Sequence, residues 1–146
     1  MRASLGSVIA ALIFASCQSH TSSTGHASST GYWSHEYDIV GGGAREAAQV
    51  KRILRTIAAQ TNLAKRSPAP GNFSPMPFAL YGDSHVSLLA SRVEDYVHIA
   101  VTRFDFSGAA AFTRLDGLVR ATLSSRYQKR LYVEPEPDYS HEVVTY

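Results

Sequence analysis

One cysteine, six histidines and two short strings that combine serine, histidine and aspartate are the side chains of this sequence with reactive potential. Cys17 is the lone thiol, so no intrachain disulfide can form. His20, His26 and His35 lie in or beside a polar run, and imidazoles are common transition-metal ligands. Their spacing matches no ordered metal site, so they read as solvated linker histidines, and no metal or other cofactor is expected. Gly82-Asp83-Ser84-His85 and Asp138-Tyr139-Ser140-His141 carry the hydroxyl, imidazole and carboxylate types found in nucleophilic catalysis. Gly41-Gly42-Gly43 follows an apolar stretch, but the third glycine of a dinucleotide fingerprint would fall at Glu46. These glycines read as a strand-to-helix hinge.

The string Gly82-Asp83-Ser84-His85, after Phe78-Ala79-Leu80-Tyr81, resembles the nucleophile block of the GDSL (SGNH) esterases and acetyl transferases. The resemblance implies Ser84 as nucleophile, His141 as base and Asp138 as the group that orients it. Only 53 residues separate Ser84 from Asp138, far fewer than in that family, and no asparagine follows Asn72 to furnish its oxyanion hole. A Gly-Asp hairpin turn and a polar tail are the expectation instead, and the chain reads as non-catalytic.

The first seventeen residues say where the protein goes. Arg2 precedes a run of small and apolar residues that is densest from Val8 to Phe14, the pattern of a secretory signal. The run is shorter than the roughly 20 residues that span a bilayer. It ends at Phe14-Ala15-Ser16-Cys17, which resembles the lipobox of bacterial lipoproteins. The resemblance implies that residues 1–16 are cut away and that Cys17 becomes an acylated N-terminus held in a lipid bilayer. Gln18 rather than aspartate after it implies the outer membrane, with the protein facing the periplasm. Residues 17–31, rich in Ser and Thr, form a tether with a root-mean-square reach of roughly 20 Å.

The elements that must position any site lie in residues 32–133, one domain's worth of chain. Fourteen basic against twelve acidic side chains give no global case for nucleic acid, and 45% apolar residues suffice for a packed core. A short strand is expected from Tyr32 to Val40. A helix follows from Ala44 to Lys65, with an apolar stripe of Ala47, Val50, Ile53, Leu54, Ile57 and Ala58. Residues 67–77 form a proline-rich loop from which Phe73 and Met76 turn back onto the core. An antiparallel meander then runs from Phe78 to Phe106. Turned at Glu94-Asp95, it sets Arg92 against Val97, Ala90 against Ile99 and Leu88 against Val101. A helix from Val86 to Tyr96 competes, since Val86, Leu89, Ala90 and Val93 also fit helical spacing. Ser107 caps a last helix from Ala109 to Leu131, and residues 134–146 form an acidic, proline-containing tail whose end, Val143 to Tyr146, has strand character. The expected fold is α+β: a two-layer sandwich in α-β-β-β-α order, with both amphipathic helices packed on one face of the sheet. This order is similar to that of several small envelope lipoproteins, including the lipopolysaccharide-transport component that pairs with an outer-membrane barrel.

Two surfaces then stand out. The second sheet face carries His85, Leu89, Val93, Tyr96, His98, Ala100 and Phe104, too apolar for free solvation and too polar for a core. Leu89, Tyr96, His98 and Phe104 are the candidate contacts for an envelope protein partner, such as an assembly factor, adaptor or inhibitor. The first helix region carries Arg45, Lys51, Arg52, Arg55, Lys65 and Arg66 against Glu46 alone. Lys51, Arg52 and Arg55 are the candidates for contact with an anionic glycolipid or cell-wall polymer.

Overall fold

A computed structural model of the chain describes residues 32–69, 71–73 and 75–135. The leader, Cys17 and tether at 1–31 lie outside the described residues, as do Asp138, His141 and the expected Val143 to Tyr146 strand.

Strand β1, Trp33–Val40, is followed by the glycine hinge. Gly41 sits at φ +69°, and a Cβ on Gly42 would stand 2.8 Å from Val97 Cγ2 and 3.0 Å from the Val97 nitrogen, so the hinge lies flat on the strand that pairs with β1 in the sheet. Helix α1, Ala44–Gln60, begins where the Glu46 carboxylate accepts from the Gly43 N–H at 3.2 Å. It stops five residues before the expected Lys65. Asn62 takes the left-handed conformation (φ 56°), and the Leu63 N–H returns to the Ala58 carbonyl at 2.9 Å, the closing bond of a Schellman turn. The released residues form a two-residue strand, β2, Ala64–Lys65.

Strands β3, Pro77–Gly82, β4, Val86–Val93, and β5, Tyr96–Arg103, form the meander, and residues 86–93 are strand rather than helix. Arg92 faces Val97, Ala90 faces Ile99 and Leu88 faces Val101. Met76 is 53% exposed and does not turn onto the core, whereas Phe73 is half-buried. A 3₁₀ turn at Phe106–Gly108 leads into helix α2, Ala109–Tyr127. The Asp105 carboxylate caps that 3₁₀ turn by accepting from the Gly108 N–H at 2.9 Å, and the N-cap of the helix itself is Gly108, with no side-chain cap bond, rather than Ser107. The helix ends four residues short of Leu131 because Gln128 turns the chain at φ 41°. Leu131–Val133 then forms β6, which pairs with Tyr37–Ile39 of β1.

The architecture is α+β, with two helices and one six-stranded antiparallel sheet in the order β2-β3-β4-β5-β1-β6. Besides the three meander strands and the strand expected from Tyr32 to Val40, the sheet gains the short β2 and β6 at its two edges, so the order is β-α-β-β-β-β-α-β rather than α-β-β-β-α. One core holds Tyr37, Ile39, Leu88, Ile99 and Val101 of the sheet with Val50 and Leu54 of α1 and Leu115, Val119 and Leu123 of α2. Among the described residues, no helix is long and apolar enough to cross a membrane.

Candidate functional site

Side chains alternate across a strand, so whatever β1, β4 and β5 do not give to the core they present on the other sheet face. There β4 contributes Leu89, Ser91 and Val93, β5 contributes Tyr96, His98, Ala100 and Thr102, and β1 contributes Ser34, Glu36 and Asp38. The antiparallel register sets Ser34 opposite Thr102 and Asp38 opposite His98. Tyr32 and the loop residues Asn72, Phe73 and Pro75 raise a rim, and the enclosed concavity is about 500 Å³. It is apolar at its β4 side and acidic at its β1 side.

His98 stands on the acidic side. Its Nδ1 lies 2.8 Å from Asp38 Oδ1 and its Nε2 lies 3.8 Å from Glu36 Oε2. Burial opposes the charged imidazole, but the Asp38 hydrogen bond and the Glu36 and Asp38 carboxylates prevail and raise its pKa above the usual value. Burial raises the Glu36 carboxyl; His98 opposes that rise, while Glu134 and Asp38 add to it. Glu134 is brought alongside by β6, whose end is tied through the Glu134 N–H to the Glu36 carbonyl at 3.2 Å.

Of the four expected partner contacts, the structure brings Leu89, Tyr96 and His98 together and leaves Phe104 outside. Phe104 follows the end of β5, is 41% exposed, and bonds through its N–H to the His85 carbonyl at 2.8 Å. His85 also departs from the expected face: it sits in the β3–β4 turn with its Nδ1 2.8 Å from Asp105 Oδ2. Ser84 is exposed at the same turn. Asp83 holds the turn closed by accepting from the His85 and Val86 N–H groups at 2.7 and 2.9 Å. The hairpin use of this string is thus visible, while Asp138 and His141 lie outside the described residues.

The basic residues are gathered more closely than helical spacing alone implies. Because α1 ends early, β2 carries Lys65 and Arg66 back beside Lys51, Arg52 and Arg55. These five line a pocket of about 300 Å³ whose apolar wall includes Pro77, Phe78 and Leu80.

A third cluster was not anticipated. His35, expected as a solvated linker histidine, is a β1 residue with its side chain only 11% exposed, edge-on to Trp33 and Phe112. Its Nδ1 is 2.9 Å from Asp116 Oδ2, and the Tyr37 hydroxyl donates to Asp116 Oδ1. Burial alone would raise the Asp116 carboxyl, but the His35 and Tyr37 hydrogen bonds, with Arg120 nearby, hold it below the usual carboxylate range. The same burial and the Asp116 contact push the Tyr37 hydroxyl well up. The sequence signal was a lone acid, Asp116, on the apolar stripe of a helix between Phe112 and Val119. Among the described residues no group of three or more histidine, cysteine or acidic side chains is arranged to hold a metal ion.

Comparison with family models, with curated proteins and with solved structures finds no match to this chain.

Proposed function

We propose that this is a non-catalytic envelope lipoprotein, anchored through acylated Cys17, whose two-layer α+β domain binds a protein partner in the concavity of its outer sheet face. The supporting observation is the gradient across that face, from Leu89 and Val93 through Tyr96 to Asp38, Glu36 and Glu134. Burial, with Glu134 and Asp38 alongside, raises the Glu36 carboxyl, and an incoming cation relieves that crowding of like charge. The occupant is therefore a segment that presents a lysine or arginine next to an apolar side chain. The chain's own tail is a poor substitute, because residues 136–146 hold Glu136, Asp138 and Glu142 and no lysine or arginine.

The test is affinity capture of the full-length protein from detergent-solubilised envelopes, with two variants shown by circular dichroism to be folded. A protein captured by the parent and lost from both Tyr96→Glu and Glu36→Gln/Asp38→Asn supports the assignment. Capture that both variants retain, or a parent that comes out alone, removes it. The anchor is tested separately: the intact mass of membrane-extracted protein should exceed that of residues 17–146 by lipid, and an unmodified mass rules lipidation out.

A further inference from the structure

We infer that the pocket between α1 and β2–β3 is a docking surface for the anionic headgroups of a lipid bilayer. Lys51, Arg52 and Arg55 lie within one turn and a half of α1, and Lys65 and Arg66 come from a different element. The second pair is fixed in place. Lys65 is in register with Tyr81, the Arg66 N–H bonds to the Leu80 carbonyl at 2.9 Å, and Arg66 Nε bonds to the Gly82 carbonyl at 3.0 Å.

No acidic residue lines the pocket. Asp83 is near enough to feel Arg66, yet Lys51, Arg52, Arg55 and Lys65 form no ion pair among the described residues. Holding Lys51, Arg52, Arg55 and Lys65 together without counter-charge disfavours the free state and is relieved by phosphate. What selects a bilayer over a soluble polyanion is the apolar component. Phe78 and Leu80 line the pocket, and Met76, 53% exposed, immediately precedes Pro77 at its edge. Cations around a partly exposed apolar strip match phosphates at the boundary of an acyl layer.

The full chain contains its own reporters, for its three lysines are Lys51 and Lys65 in the pocket and Lys129 beside β6. The experiment is acylation of lysines by a water-soluble amine reagent, read by peptide mass, with full-length protein on phosphatidylglycerol vesicles, on phosphatidylcholine vesicles and with soluble polyphosphate. The expected result is a several-fold loss of labelling at Lys51 and Lys65 on phosphatidylglycerol alone, with Lys129 unchanged. The loss should vanish at about 1 M salt, where the Debye length is about 3 Å. It should also vanish in Arg52→Gln/Arg55→Gln, whose exposed positions leave folding intact. Equal labelling on both vesicles overturns the assignment, as does protection by polyphosphate without protection by phosphatidylglycerol. The comparison of the two lipids separates this result from that of the Cys17 anchor, since adsorption through the anchor alone does not distinguish them.

Discussion

Asp116 is 9% exposed, yet it stays ionised because two donors from β1 converge on it. Removing the acceptor strands both donors, so Asp116→Ala should destabilise the domain by about 3 kcal/mol, and Tyr37→Phe by about 1–2 kcal/mol, in urea denaturation. Because the folded pKa lies below the unfolded value of about 3.9, this stabilisation is complete above that pH and fades as pH falls through the folded value. Asp116→Asn should therefore flatten the acid limb of the stability curve. His98 has the opposite sign. Its folded pKa is raised, so its stabilisation is complete below about 6.5 and fades as pH climbs through the folded value. Asp38, Glu36 and Glu134 are the charges that face it. Urea denaturation from about pH 6 to about pH 8 should show the parent losing stability relative to His98→Gln.

Elements whose partners are close in sequence were legible, and those with remote partners were not. The β4–β5 pairing was readable because Leu88, Ala90 and Arg92 alternate within reach of Val97, Ile99 and Val101 across a two-residue turn. The ends of both helices were hidden, since Asn62 and Gln128 take positive φ without being glycine. The Leu131–Val133 strand was read as helix and loop because its pairing, with Tyr37–Ile39, lies almost a hundred residues back. The same distance concealed the acidic half of the concavity: Leu89, Tyr96 and His98 came from the meander, whereas Glu36 and Asp38 came from a strand whose neighbours were unknown. Glu94 shows that turn chemistry also departs from the ideal. It adopts φ 50° in the β4–β5 turn, where a non-glycine residue is strained. Glu94→Gly should raise stability by about 0.5–1 kcal/mol, measured by denaturant midpoint at constant slope, after offsetting the entropy of the added glycine.

At the scale of the molecule, near-balance of charge conceals separation of charge. The sheet order puts β2, with Lys65, at one edge and β6, preceded by Lys129 and Arg130 and followed by Glu134, at the other, next to β1 with Glu36 and Asp38. Five inter-strand spacings make that separation about 24 Å. A bilayer that engages the cationic edge therefore leaves the opposite edge raised, and the acidic concavity open to a partner that arrives from the aqueous side. The two proposed contacts are compatible for this reason. The arrangement predicts a difference between two introduced thiols. Cys17 is the chain's lone cysteine, so with that thiol blocked, by the proposed acylation or by Cys17→Ser, a fluorophore placed by Ser67→Cys or Tyr132→Cys labels one position. Ser67 lines the cationic pocket, and Tyr132, 54% exposed, projects from β6. On phosphatidylglycerol vesicles, iodide quenching at position 67 should fall while quenching at 132 stays at its value in detergent. Equal shielding at both positions would mean that the domain lies with its concave face on the membrane, and the partner site would then have to be sought elsewhere.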